Sequence, residues 1–159
     1  MSAPVTTDSV WNEVGKRLFA VLSYVTPKSH ARSAGIVYTV RDRVLYIGTG
    51  KDSWKAKHIV RNPNVALNVN IPKRIPLLPW IKIPDATISF SATARVLPID
   101  ETDPSILDPL LKGMVDDPNV REENVILEVR PVGDFVTYGI GVPMMDMRDP
   151  KKAQGRAPV

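Results

Sequence analysis

From Val65 to Ile71 the chain alternates without a break: Val65, Leu67, Val69 and Ile71 are apolar, and Ala66, Asn68 and Asn70 between them are small or polar. A period of two places the first set on one face of a strand and the second on the other, which makes this segment a half-buried β-strand. The pattern returns at Ile88, Phe90, Ala92, Ala94 and Val96. Between the two runs, Pro72, Pro76, Pro79 and Pro84 interrupt Ile75, Leu77, Leu78, Trp80, Ile81 and Ile83. Proline at that density suits neither a helix nor a central strand. An apolar loop therefore joins two amphipathic strands. It is expected to be a substrate lid, a dimer contact or a shallow membrane-surface patch, in that order, with Trp80 used in loop packing.

The rest of the chain reads in short elements. A helix near the start is expected to be capped by Asp8 or Ser9, with Val10, Trp11, Val14 and Leu18 on one face. Phe19–Thr26 reads as a strand, and Arg32–Val40 and Val44–Thr49 as a hairpin across Arg41-Asp42-Arg43, without the usual Asn-Gly pair. Asp52 caps a second helix, which Asn62-Pro63 closes. Asp103-Pro104 opens a third, with a stripe of Ile106, Leu107, Leu110, Leu111, Met114 and Val115. Val125–Val132 and Phe135–Ile140 are the last strands, parted at Gly133-Asp134. Six or seven mostly antiparallel strands with a few short flanking helices lack the alternation of a doubly wound sheet, so a small, mainly β barrel is expected. Residues 1–143 form its domain. Residues 144–159 form a polar, basic tail, expected to be loose or to pack on a partner chain.

The net charge of +4 does not make this a nucleic-acid binder, because Arg148, Lys151, Lys152 and Arg156 against Asp149 place most of the excess in the tail. With no cysteine in 159 residues, disulfides and thiolate metal sites are excluded. The scattered carboxylates fall where they cap helices and turns, and no metal site is expected. No apolar run is long enough for a transmembrane segment and the first ten residues lack a signal-peptide layout, which fits a cytoplasmic protein.

The richest stretch for chemistry is Tyr46 to His58. A strand ends in Gly48, Thr49 and Gly50, and a helix then begins with Ser53 and Lys55 in its first turn and Lys57 just behind. Free backbone N–H groups and the positive end of the helix dipole favour an anion there, and the lysines add charge. A solvated helix start with ordinary surface lysines is the equal alternative on chemistry alone. Two familiar phosphate loops fail: the dinucleotide fingerprint needs glycine where Ser53 stands, and the nucleotide-triphosphate loop is broken by Leu45 and Asp52.

Four motifs in order, Ala31–Tyr38, Leu45–Gly50, Asp52–Ile59 and Asn62–Leu67, resemble the core of the pyridoxamine 5'-phosphate oxidase-like, FMN-binding split-barrel family. The likeness runs from about Phe19 to Leu97. It implies a split β-barrel that binds FMN, or alternatively the deazaflavin coenzyme F-420. By resemblance, Arg32 meets the cofactor phosphate and Ser33, Ala34, Gly35, Ile36 and Val37 lie along its ring, with backbone N–H groups near Ala34 to Ile36 on the ring edge. Gly48 and Thr49 also contact it, while Ser53, Trp54, Lys55 and Lys57 hold phosphate or ring; Thr87 is a further ring neighbour. The resemblance implies a homodimer with the cofactor at the interface, and a flavin- or deazaflavin-dependent oxidoreductase passing hydride between cofactor and a small organic substrate.

Departures narrow this. The lysine that the oxidase itself carries after its strand-two arginine has no counterpart here, nor do its C-terminal tryptophan and arginine, so oxidation of vitamin B6 phosphates is not expected. No catalytic residue is named. His30 and His58 read as surface residues, and Tyr38 and Tyr46 as packing. A non-enzymatic flavin- or haem-binding role is the alternative, and there His30 or His58 would have to ligate the iron.

Overall fold

The computed structural model describes residues 5–159. Helix α1 (Thr7–Gly15) precedes strands β1 (Phe19–Val25), β2 (Ala31–Val37), β3 (Thr39–Arg41) and β4 (Val44–Gly50). Helix α2 (Trp54–Arg61) leads to β5 (Asn64–Ile71) and, beyond the proline-rich loop, β6 (Ala86–Pro98). Helices α3 (Pro104–Leu111) and α4 (Pro118–Glu123) then cross to β7 (Asn124–Tyr138), and α5 (Pro150–Ala153) and β8 (Gln154–Pro158) complete the chain.

All strand pairs are antiparallel, in the order β2-β1-β5-β6-β7-β4-β3. The two ends of that order, β2 and β3, are separated in the chain by Tyr38 alone. Residues 31–41 therefore pair with β1 along their first part and with β4 along their second, and this closes the sheet into a barrel. Tyr38 is thus the point at which the strand changes partner. The expected mainly β split barrel is what the chain forms, with β8 as one strand more than anticipated.

Alternation explains the interior. Val65, Leu67, Val69 and Ile71 of β5 and Ile88, Phe90, Ala92 and Ala94 of β6 are all buried. Phe135 sits at the centre, edge-on to Trp11 at 5.4 Å and to Phe90 at 5.2 Å. Each such pair contributes on the order of 1 kcal/mol beyond burial. A smaller core of Ile99, Leu107, Leu111 and Ile126 fixes α3 outside the barrel.

Several local expectations are corrected. The cap of α1 is Thr6, whose side chain accepts from the Ser9 N–H at 3.2 Å while Ser9 Oγ receives the Thr6 N–H at 3.0 Å. This reciprocal box starts the helix two residues earlier than Asp8 would, and Leu18 falls past its end, exposed. The hairpin turn needs no glycine: Asp42 and Arg43 both take positive φ, 52° and 61°, as a two-residue turn of the favoured hand requires. The stripe of α3 stops at Leu111, because Lys112 adopts φ 49° and ends the helix, leaving Met114 exposed. The last two strands are one, β7, bent at Gly133 with φ 77°.

The tail is not loose: it packs on its own chain. β8 pairs with the second half of β7, along the edge that β4 uses in the first half. Met147, Ala153 and Ala157 are buried, and Gly139 N–H donates to Ala153 O at 2.8 Å. The small apolar residues that make this packing possible do not stand out in a polar sequence.

Candidate functional site

The strand-to-helix junction after β4 is built by Ser53. Its Oγ accepts from the Ala56 N–H at 3.3 Å and lies 3.2 Å from Thr49 Oγ1. Ser53, not Asp52, is thus the cap of α2; Asp52 is exposed and faces Lys57, with Oδ1 3.7 Å from Nζ. The extended backbone of Ser53 (φ −65°, ψ 145°) carries its hydroxyl back over the first turn, which suits a cap. Lys51 N–H donates to Glu123 O at 2.9 Å and Ser53 N–H to Gly50 O at 3.0 Å. The N–H groups of Trp54 and Lys55 find no acceptor among the described residues. They are the free donors of this helix end.

One turn of α2 sets an aromatic wall. Trp54 and His58, four residues apart, have ring centroids 5.6 Å apart, and His58 lies 5.7 Å from Tyr24 of β1. Lys57 Nζ sits 5.7 Å from the centre of the Trp54 ring. Tyr24 pairs across the sheet with Arg32 of β2, so the wall continues into the predicted arginine. Tyr24, Thr26, Arg32, Ser33, Trp54 and His58 line a cleft of about 530 Å³. Ligand sites in proteins ordinarily measure about 300–1,000 Å³. A groove of about 420 Å³ that shares Trp54 and His58 with it includes Lys57 and Arg61.

Hydrogen bonds at both ends of the β1–β2 pair fix the direction of every N–H in β2. Tyr38 N–H donates to Leu18 O at 3.0 Å, and Thr26 N–H to His30 O at 2.9 Å. Because direction alternates along a strand, the N–H groups of Arg32, Ala34 and Ile36 face β1. Those of Ser33, Gly35 and Val37 face the edge of β2 that has no strand partner. The expectation of a donor run from Ala34 to Ile36 is corrected accordingly: Gly35 alone of the three points to the open edge.

The other candidate residues are not among those that line this cleft. Ile36 is buried in the core, Ala34 is half-buried and Val37 is exposed. A Cβ on Gly35 would lie 2.9 Å from the ring of Phe19, so glycine lets that ring lie across the strand. A Cβ on Gly48 would stand 3.7 Å from Leu110 Cβ, and this part of β4 is covered by α3. Thr49 is buried and Lys55 half-buried. His58, read from sequence as a surface residue, is instead half-buried in the cleft wall, and its Nδ1 is buried with no hydrogen-bond partner. Its spacing from Trp54 was the signal available. His30 is exposed in the β1–β2 turn.

Neither tyrosine is poised as an acid. Tyr38 is buried, its hydroxyl donates to Val14 O at 2.7 Å, and burial pushes its pKa upward. Burial, aided by the Glu128 carboxylate, also raises Tyr46. Outside the cleft, Glu128 on β7 is buried and receives Arg95 Nε at 2.8 Å and Arg130 Nε at 2.9 Å. Those guanidinium hydrogen bonds, Arg95 first, hold its carboxyl below the usual range against the cost of burial.

The sequence matches no protein-family model and no curated protein sequence. Solved structures do match. A putative pyridoxamine 5'-phosphate oxidase of Listeria innocua is similar at 17% identity and TM-score 0.57, over 78% of this chain and 91% of that one. An F-420 reductase is similar at 21% identity and TM-score 0.54, over 78% and 94%. The haem storage protein HutZ of Vibrio cholerae is similar at 12% identity and TM-score 0.61, over 85% and 96%. At these identities the likeness is one of fold. The chain has the split-barrel architecture of pyridoxamine 5'-phosphate oxidase-like proteins, as the motifs between Ala31 and Leu67 implied. Among the described residues no helix is long and apolar enough to cross a membrane.

Proposed function

We propose that this protein binds FMN, or alternatively the deazaflavin coenzyme F-420, in the cleft between β2 and α2, and works as an oxidoreductase on a small organic substrate. The observation that carries the reading is the convergence of Arg32 and Ser33 of β2 with Trp54 of α2 on one cleft, Trp54 also being the first residue of a helix whose leading N–H groups are free. Such a cofactor, when bound, supplies the hydride chemistry. The chain's part is to grip and orient. Arg32, Ser53 and Lys55, with the N–H groups of Trp54 and Lys55, are the donors for a phosphate. The N–H groups of Ser33, Gly35 and Val37 are those available to a ring edge, where they would favour negative charge. Trp54 offers an apolar face. Lys51, Lys57, Lys73 and Arg74 are the cations that a longer acidic tail would meet, which is what distinguishes the deazaflavin alternative.

In this reading two chains form a homodimer with the cofactor between them; sedimentation showing monomer alone at micromolar concentration would count against it. A non-enzymatic haem-binding role is the second reading. It is favoured by the placement of His58 in the cleft wall and by likeness of fold to a haem storage protein.

The test is titration with FMN and with F-420, on the natural protein and on Lys55→Ala. A phosphate held by Lys55 predicts a loss of roughly tenfold or more, from the 1.5–3 kcal/mol of a charge-assisted hydrogen bond. Equal affinity in the variant would sink the phosphate assignment. A haem absorption band abolished by replacing His58, with no flavin binding, would favour the second reading.

A further inference from the structure

The loop between β5 and β6 is not irregular. Leu78 N–H donates to Ile75 O at 3.1 Å and Ile81 N–H to Leu78 O at 3.0 Å, so Ile75–Leu78 and Leu78–Ile81 are two consecutive four-residue turns. Pro76 and Pro79 hold the second place in each, where the ring fixes the φ that the turn needs. Leu77 and Trp80 hold the third place in each, and they are 87% and 72% exposed. Trp80 is thus not packed into the loop, as the sequence suggested. The base is clamped by Asn70 Nδ2 donating to Asp85 Oδ2 at 2.7 Å, just below the last strand pair, Ile71 with Ala86.

Two large apolar side chains are therefore held in the open by a preorganised scaffold. Within the loop the charge has one sign: Arg74 and Lys82 are exposed, Lys73 is half-buried at the base, and residues 72–84 contain no acid. No loop residue lines the Arg32–Trp54 cleft, so the pair is not spent on closing that site.

We propose that this loop docks the protein on an anionic membrane surface, with Leu77 and Trp80 entering the boundary of the acyl region while Arg74 and Lys82 meet lipid phosphates. Tryptophan favours that boundary, and basic side chains beside it are drawn by the surface potential of anionic lipid. The prolines oppose the other common uses of an exposed segment, since they prevent it from adding a strand to a partner sheet or forming a groove-binding helix.

The experiment is sedimentation of the full chain with phosphatidylcholine vesicles, with and without phosphatidylglycerol. Binding is expected only to the anionic vesicles and should weaken with salt. Arg74→Gln and Lys82→Gln should each cost about fivefold, the size of one basic contact at such a surface. The double variant Leu77→Asp/Trp80→Asp should not sediment while keeping its circular dichroism and thermal midpoint, because both side chains are exposed. Absence of binding to anionic vesicles, or unchanged binding by that double variant, overturns the proposal. So does conversion of a dimer into monomer by the same double variant, which would assign the loop to a second copy of this chain.

Discussion

Trp54 and His58 stack one turn apart on α2, with ring planes tilted by 35° and centroids 5.6 Å apart, and together they wall the cleft that Arg32 enters. Because Trp54 is 69% exposed, its indole contributes more to the cleft than to the core. Trp54→Ala should therefore keep the stability of the fold within about 1 kcal/mol. It should weaken FMN or F-420 binding by roughly tenfold, measured by fluorescence titration. Unfolding of the variant at much lower urea would show that the ring is structural instead.

Ser53 serves the helix and the proposed phosphate at once, and one substitution separates the two roles. Aspartate caps a helix about as well as serine, so Ser53→Asp should change stability by less than about 0.5 kcal/mol. Its negative charge beside the free N–H groups should repel a phosphate and lower cofactor affinity by at least about tenfold. Calorimetric titration decides, and full affinity with aspartate in place would remove the anion from this helix end.

Glu128 ties acid sensitivity to a contact outside the cleft. Its folded pKa is depressed, chiefly by the Arg95 hydrogen bond, so its contribution is fully present above the unfolded carboxyl value and is lost as pH falls through the folded one. Glu128→Gln should destabilise the protein by about 2 kcal/mol at neutral pH. That gap should begin to narrow as pH falls below the unfolded glutamate value, about 4.3, and should close only below the lower folded value, where the natural carboxyl is protonated in both states. Urea melts at the two pH values give the comparison; a gap independent of pH would mean that charge is irrelevant to the contact.

Gly139 and Gly133 both sit at positive φ, 71° and 77°, but only the first is crowded. A Cβ on Gly139 would lie 2.6 Å from Met147 Cε and 3.3 Å from Ala86 Cβ, whereas one on Gly133 meets nothing within 4 Å. Gly133→Ala should cost about 1 kcal/mol, the conformational part alone. Gly139→Ala should cost clearly more, on the order of 2–3 kcal/mol, and should release residues 144–159 to proteolysis. Equal costs would show that Met147 yields freely.

Where the chain's own chemistry repeats on a short period, the structure follows it. The alternation in β5 and β6, the proline after Asp103 and the break at Asn62-Pro63 depend on neighbours within a few residues, and each appears as read. Errors arise where two nearby groups compete for one role. Ser53 takes the cap from Asp52, and Thr6 from Asp8 and Ser9, because the winner is set by backbone direction at the helix entry, which the whole strand-to-helix path dictates.

Sequence alone determined that this chain makes amphipathic antiparallel strands around one apolar interior, since side-chain period and burial are tied by the pleat itself. The tertiary structure decided what those strands leave over. Pairing residues 31–41 with two different strands closes the sheet and chooses which N–H groups of β2 stay free. Folding α2 against β1 brings His58 to Tyr24 and, through its strand partner, to Arg32. These are contacts between segments far apart in the chain, governed by the closure of the sheet rather than by any local preference.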